Sequence, residues 1–158
     1  MKPNPEGIAA SINATKKGRG LPPVHLWNPP FCGDIDMRIA RDGTWFYEGS
    51  KITRPGLVGL FSSILKLEDG KFFLVTPVEK VGITVDDAPF LAIDFEATGA
   101  GTDQILTFTT QVGDTAVASA DLPIRVVRDA DTGEPSPYVL IRTNLEALID
   151  RKSFYRLV

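Results

Sequence analysis

The sequence predicts an α+β protein, mostly antiparallel β, with a duplicated strand-hairpin-helix-strand unit around a β-meander. A nine-position pattern (Asp, apolar, any, apolar, Arg, apolar, any, Arg, Asp) occurs at residues 34–42 and again at 121–129. The segments downstream of the two copies are also alike, and internal similarity of this kind usually reflects two similar substructures. Between and within the copies, short runs alternate apolar and polar residues and are separated by turn residues, which is typical of antiparallel strands.

The first copy predicts a strand, a hairpin, a helix and a second strand. Alternation places Ile35, Met37 and Ile39 toward the core and Arg38 on the opposite face. Asp42-Gly43 is a hairpin turn signal. The helical spacing of the following apolar residues predicts one buried face, with Ser62 and Ser63 toward solvent; these apolar residues are Leu57, Leu60, Phe61, Ile64 and Leu65. A short helix over residues 5–17 precedes this copy, and a strand over 72–75 closes it.

The second half predicts a meander followed by the second copy. The meander strands are Val81–Val85, Phe90–Ala97, Gln104–Thr110 and Thr115–Ala118. In the second copy, Leu122, Ile124 and Val126 should face the core, and Thr143 and Glu146 are spaced as the capping box of a short helix. A strand over 153–158 should end the chain. We therefore expect an N-terminal lobe over residues 1–77 and a C-terminal lobe over 78–158.

Composition limits the function classes. The chain has 158 residues, 43% of them hydrophobic and 23% charged, as in a globular protein. Its net charge of −3 argues against a general nucleic-acid binder. One cysteine excludes an intrachain disulfide, and one histidine with one cysteine cannot form a usual zinc site. No cofactor or metal is predicted. We expect a cytoplasmic protein because no apolar run resembles a secretory signal or a membrane span.

The candidate site residues are charged side chains outside the predicted core. Arg38 and Arg125 occupy equivalent positions in the two copies, and their guanidinium groups suit phosphate or carboxylate. Glu79 and Lys80 lie where the first copy meets the meander. We predict that these four residues and Arg54 border a ligand-binding cleft at the seam between the repeats. The alternatives are solvated arginines paired with cross-strand acids and a neutralising Glu79–Lys80 pair.

Several sequence strings resemble a known bacterial family. They are Trp45-Phe46-Tyr47, Ile52-Thr53-Arg54, Leu60-Phe61-Ser62-Ser63, Leu74-Val75-Thr76-Pro77-Val78-Glu79-Lys80 and Asp87-Ala88-Pro89-Phe90. From about Leu26 onward the chain resembles domain of unknown function family 1285. The resemblance implies two related α+β lobes, the second loosely similar to pleckstrin-homology folds. It implies ligand or partner binding in signalling but no established activity and no catalytic residues.

These observations predict a non-enzymatic binding module with a small anionic ligand or a protein partner. The competing prediction is an enzyme acting on a small anionic substrate, in which Glu79 is the general base and Arg54 or Arg38 holds the anion. A structural homo-oligomer is a third prediction. A deep pocket with a perturbed carboxylate would favour the enzyme, whereas a flatter apolar patch would favour protein binding.

Overall fold

The computed structural model describes residues 4–15, 22–119 and 123–157, which form two compact units. The first unit contains the chain up to Ala40 and Thr44–Asp86. The second contains the turn Arg41–Gly43 and the chain from Asp87 onward. The expected boundary after Pro77 precedes strand Lys80–Val85, which pairs with strands of the first unit. The first unit therefore extends to Asp86.

The first unit is a six-stranded mixed sheet with two helices. Its elements are α1 (Pro5–Thr15), β1 (Phe31–Ile39), β2 (Trp45–Tyr47), β3 (Ser50–Lys51), α2 (Pro55–Ser63), β4 (Leu65–Glu68), β5 (Lys71–Val75) and β6 (Lys80–Val85), with a 3-10 turn at Val24–Leu26. The strand order is β3-β2-β1-β6-β5-β4, and only the central pair of this sheet, β1 and β6, is parallel. Helices α1 and α2 pack against each other. The fully buried side chains come from both helices and the sheet, including Ile8, Ile12, Met37, Ile39, Trp45, Phe61 and Leu74.

The second unit is also a six-stranded mixed sheet. Its elements are β7 (Phe90–Thr98), β8 (Ile105–Thr110), β9 (Thr115–Ala118), β10 (Arg125–Arg128), β11 (Pro135–Arg142), β12 (Leu145–Ile149) and α3 (Arg151–Leu157), with a 3-10 turn at Gly101–Asp103. The strand order is β10-β11-β12-β7-β8-β9, with β12 and β7 parallel. Strand β9 lies close to β11 although the two are not paired, so the sheet curls. Helix α3 packs on β7.

The two units share one topology, but the predicted alignment of the repeats is wrong. In each sheet the first strand is central, the next two extend to one edge, and the last three return from the other edge to the centre. Strand β1 is the first, central strand of its sheet, whereas β10 is the fourth strand and lies at an edge. Alternating apolar residues with two arginines can occur in a central strand and in an edge strand. The nine-position pattern therefore matched β1 with β10, which are not equivalent strands.

Burial follows these positions. Met37 and Ile39 on β1 are buried and Ile35 is half-buried, in line with the predicted core face. On β10 the prediction is wrong, because Val126 is 46% exposed. Ile124 is half-buried just before this strand, and Leu122 lies outside the described residues. An edge strand has a neighbour on one side alone, which leaves more of its apolar side chains in contact with solvent.

The end of the chain reverses the predicted order of helix and strand. The predicted helix after Thr143 is strand β12, which pairs with β11 on one side and β7 on the other. Thr143 has a φ of 52° rather than an N-cap conformation, and it lies in the tight turn before β12. The predicted last strand is helix α3. Asp150 caps it by accepting a 3.0 Å hydrogen bond from the Ser153 amide.

One predicted helix ends earlier than expected. Helix α1 is described as Pro5–Thr15, and residues 16 and 17, where it was predicted to end, lie outside the described residues. Helix α2 ends at Ser63, so Leu65 belongs to β4. Phe61 and Ile64 are buried as predicted, but Ser62 is buried rather than facing solvent. Its hydroxyl donates a 2.8 Å hydrogen bond to the Gly59 carbonyl, which satisfies the buried oxygen.

Candidate functional site

The predicted site residues are distributed over both units. Arg38, Arg54, Glu79 and Lys80 belong to the first unit, and Arg125 belongs to the second. Each has a local environment that the sequence did not specify. That all five border one cleft stays a prediction.

Arg38 and Lys80 are each held against an aromatic ring. The Arg38 guanidinium lies 4.9 Å from the centre of the Phe46 ring and forms an ion pair with Asp86. The Lys80 ammonium lies 4.8 Å from the Phe73 ring centre and 3.8 Å from a Glu68 carboxylate oxygen. Cation–π contacts and exposed ion pairs are individually weak. The ion pair of Arg38 agrees with the alternative of arginines paired with acids, whereas Lys80 lies beside Glu68 rather than forming the predicted pair with Glu79.

Glu79 closes a turn between β5 and β6. Its amide donates a 3.0 Å hydrogen bond to the Thr76 hydroxyl oxygen, and its carbonyl accepts a 2.9 Å bond from the Thr76 amide. These bonds explain the Thr-Pro-Val-Glu string as a turn motif. In the described part of the chain, the Glu79 carboxylate has no hydrogen-bond or ion-pair partner that would orient it as a general base. The enzyme alternative is therefore not favoured.

Arg54 lines a cavity of the first unit. It precedes the first residue of α2, and the cavity beside it measures about 320 Å³. The other lining residues come from the start of α1, from the β2–β3 region and from α2: Asn4, Pro5, Glu6, Tyr47, Ile52 and Leu57. Burial raises the pKa of Tyr47, with further contributions from the nearby Glu48 and Asp36 carboxylates. The Tyr47 hydroxyl therefore stays protonated at neutral pH.

The second unit contains a hydrogen-bonded network centred on Asp87. The Tyr138 hydroxyl donates a 2.6 Å hydrogen bond to Asp87 Oδ1, and Arg41 Nε donates a 2.9 Å bond to Asp87 Oδ2. Arg41 Nη2 also donates to the Ser136 hydroxyl at 3.1 Å. The Asp87 side chain is only 19% exposed. One of its carboxylate oxygens accepts from Tyr138 and the other from Arg41. This arrangement sets the direction of the Arg41 guanidinium.

Arg125 belongs to the same network through the Tyr138 ring. Its guanidinium lies 4.6 Å from the ring centre and donates two hydrogen bonds, of 3.0 and 2.8 Å, to the Glu146 carboxylate. The hydrogen bonds to Glu146 raise the Arg125 pKa further. Burial raises the Tyr138 pKa, and its hydrogen bond to Asp87 raises it further. Arg125 is thus paired with an acid of the same sheet, which lies on β12 rather than on the adjacent strand β11.

Arg41 and Ser136 also line a cavity of about 330 Å³ in the second unit. Its wall is apolar and comes from the starts of β7 and β11, the end of β12 and helix α3: Leu91, Pro137, Leu148, Ile149 and Phe154. Four further charged residues and one proline complete the lining: Asp42, Glu134, Pro135, Asp150 and Arg151. The cavity therefore combines an apolar wall with charged groups at its rim.

The rim acids have partners within the unit. Glu134 forms an ion pair with Arg151, and Asp150 both caps α3 and lies 3.2 Å from the Lys152 ammonium. Arg41 differs from them because its side chain is 62% exposed and its bonds to Asp87 and Ser136 use two of the five guanidinium N–H groups. Among the described residues, its other N–H groups have no hydrogen-bond partner. Arg41 therefore combines a position in the cavity lining with donors that are not used within the described part of the chain.

Arg41, which immediately precedes the predicted Asp42-Gly43 turn, is not among the predicted site residues. Arg41 lies 46 residues from Asp87 and 95 residues from Ser136 in the chain, so no local pattern connects them. The available signal was the repeated arginine at the eighth position of the nine-residue pattern. Within residues 4–15, 22–119 and 123–157, no cluster of three metal-ligating side chains occurs, and no helix is long and apolar enough to cross a membrane.

Comparison with known proteins identifies the family. The family model for the N-terminal domain of DUF1285, a domain of unknown function, matches residues 22–88. The model for the DUF1285 C-terminal domain matches residues 89–158. A DUF1285 family protein from Silicibacter pomeroyi DSS-3, solved at 2.50 Å, is 67% identical, with a TM-score of 0.86 over 96% of this chain and 82% of the other. A DUF1285 family protein from Shewanella baltica OS155 is 29% identical, with a TM-score of 0.59 over 77% and 88% of the two chains. The search of curated proteins found no match. This chain belongs to the DUF1285 family.

Proposed function

We propose that this chain is a non-catalytic binding module whose ligand occupies the 330 Å³ cavity of the second unit. The observation that supports the proposal most strongly is the position of Arg41. Its guanidinium is oriented by Asp87 and Ser136, yet it keeps free donors at an apolar cavity. A polar group that is fixed before binding loses little conformational entropy when a ligand arrives.

The cavity chemistry favours a small molecule with an apolar body and a carboxylate. The volume lies at the lower end of the range of small-molecule sites. The wall of Leu91, Leu148 and Phe154 suits a hydrocarbon or aromatic body, and Arg41 suits a carboxylate through charge-assisted hydrogen bonds. Because Asp42 and Glu134 also lie at the rim, the position of the ligand charge matters: only a carboxylate directed at Arg41 avoids the acids.

Three finer predictions from the sequence stay proposals beside this one. They are a ligand at the seam between the repeats bordered by Arg38, Arg54, Glu79, Lys80 and Arg125, a pleckstrin-homology-like character of the second unit, and a role in signal transduction. The contacts of Arg38 and Arg125 with Asp86 and Glu146 reduce the support for the first. We therefore place the ligand at Arg41.

A pair of probes that differ in charge tests the proposal. Cyclohexanecarboxylate and cyclohexanecarboxamide have nearly the same shape, and binding of each can be measured by two-dimensional NMR titration of the full chain. We expect the carboxylate to bind at least fivefold more tightly and to shift the resonances of Leu91, Leu148 and Phe154. A ligand that binds the native state should also raise the melting temperature.

Arg41→Gln should remove the preference for the carboxylate. Arg128→Gln is the matched control, because Arg128 is an exposed arginine of the same unit that does not line the cavity. It should leave both affinities unchanged. If neither probe shifts the cavity resonances at millimolar concentration, or if Arg41→Gln and Arg128→Gln behave alike, the proposed site is refuted.

A further inference from the structure

Strand β10 is an edge strand whose exposure differs from that of the other strands in its sheet. All four of its residues, Arg125–Arg128, are exposed, and Val126 and Val127 are 46% and 43% exposed. It has no proline and no bulge in its pairing with β11, which are two usual means of blocking an open edge, and its charged residues are the arginines at its two ends. An edge with these properties is competent to pair with a further strand.

The prolines of β11 determine which backbone groups face the open edge. Pro137 lies opposite Val126 and Pro135 lies opposite Arg128, and proline has no N–H to donate. The Asp129 amide donates a 2.9 Å hydrogen bond to the Glu134 carbonyl, which fixes the same alternation. The hydrogen-bonded pairs with β11 are therefore Arg125/Tyr138, Val127/Ser136 and Asp129/Glu134. The N–H and C=O groups of Val126 and Arg128 point away from the sheet.

The sequence of this edge is complementary to itself. In an antiparallel pair with a second copy, outward residues meet outward residues, so Val126 can pair with the partner's Arg128, and the reverse. This register places a two-fold axis at Val127 and brings Val127 opposite the partner's Val127. It also places Arg125 opposite the partner's Asp129, twice. Hydrogen bonding of Asp129 by the Thr132 and Asp131 amides holds this carboxylate in its charged form.

We propose that two copies of the chain associate through antiparallel pairing of their β10 strands, with the two-fold axis at Val127. The contact combines outward backbone hydrogen bonds and a valine–valine cross-strand pair, and it places Arg125, which keeps its two bonds to Glu146, opposite Asp129 on both sides of the axis. Its small size makes the dimer weak and concentration-dependent. This inference is independent of the ligand cavity, because β10 contributes no residue to the cavity lining.

Cysteine cross-linking tests the register directly. In a Cys32→Ser background, which removes the chain's one native cysteine, Val127→Cys should form an intermolecular disulfide under mild oxidation. Opposed Cα atoms of a non-hydrogen-bonded antiparallel pair lie about 4.5 Å apart, within the range that a disulfide spans. Val126→Cys is the matched control, since its two copies are offset along the strands. We expect at least tenfold faster dimer formation from Val127→Cys; equal rates, or faster cross-linking of Val126→Cys, overturn the register.

Sedimentation velocity tests the interface without cysteines. Val126→Pro removes one outward N–H but no bond to β11, so it should raise the dimer dissociation constant by about tenfold or more. Val126→Thr keeps the N–H and the branched shape and should stay within threefold of wild type. Circular dichroism checks that both variants fold; if Val126→Pro does not, the cross-linking comparison decides alone. A monomeric wild type at millimolar concentration, or a dimer that Val126→Pro leaves intact, refutes the proposal.

Discussion

Replacing Tyr138 by phenylalanine isolates one bond of the Asp87 network. The change removes the hydroxyl that donates to Asp87 at 2.6 Å but keeps the ring on which Arg125 stacks. A hydrogen bond to a charged group contributes about 1.5–3 kcal/mol. Asp87 retains Arg41 and is 19% exposed, so water can replace part of the loss. We therefore expect the free energy of unfolding of the second unit to fall by about 1–2 kcal/mol.

The assay must report on the second unit. The chain's two tryptophans, Trp27 and Trp45, both belong to the first unit. Tryptophan fluorescence therefore follows the first unit, and a two-unit chain need not unfold in one step. Urea unfolding followed by NMR of the Ala147 and Ile149 methyl groups on β12 measures the second unit. The fluorescence transition should stay within about 0.5 kcal/mol of wild type.

Tyr155→Phe is the control for this prediction. Tyr155 is 65% exposed on α3, so loss of its hydroxyl should change the stability by less than about 0.5 kcal/mol. If Tyr138→Phe and Tyr155→Phe have the same effect on the β12 signals, the Asp87 network does not stabilise the unit. Asp87 would then not hold Arg41 in position before ligand binding either.

Three further substitutions test other parts of the fold. Phe61→Ala should cost about 3–5 kcal/mol in urea unfolding followed by tryptophan fluorescence, because this side chain is fully buried. Gly99→Ala should cost about 1–3 kcal/mol, since φ is +77° and an added Cβ would lie 2.5 Å from the Asp103 carbonyl oxygen; Gly113→Ala, with positive φ but open space, should cost less. Amide hydrogen bonds lower the pKa of Asp129 below its ordinary value of 3.8, so the charged carboxylate stabilises the fold above pH 3.8 and this contribution is lost on further acidification. The melting temperature of Asp129→Asn should therefore change less with pH below about 3.8 than that of the wild type. An equal change in the two proteins would contradict this role of Asp129.

Much of the strand content could be predicted, because period-2 alternation and Asp-Gly turns are local signals. Strand β9 has the predicted bounds, Thr115–Ala118, and β7 and β8 differ from prediction by one residue at one end. The failures occur where long-range pairing decides. Leu145–Ile149 has helix-forming residues but lies in the centre of a sheet between β11 and β7. Asp150 offered a local N-cap signal for α3 that the repeat alignment obscured.

The site was less predictable than the fold for the same reason. Arg38 and Arg125 could be identified as non-core arginines from alternation, but their partners Asp86 and Glu146 could not. The cavity depends on Arg41 and Ser136, which are 95 residues apart. The contact between two residues so far apart in sequence cannot be predicted from residue spacing unless the order of the strands in the sheet is known.

The parallel pair at the centre of each sheet has a consequence for how the chain folds. In both units the last strand, β6 or β12, pairs with the first, β1 or β7. Neither sheet can be completed until its final strand has emerged from the ribosome, and the closing contact joins residues far apart in sequence. Folding through such distant contacts is slow. A chain in which the two antiparallel halves of a sheet formed before this contact would present open inner edges, and unpaired strand edges of this kind favour aggregation.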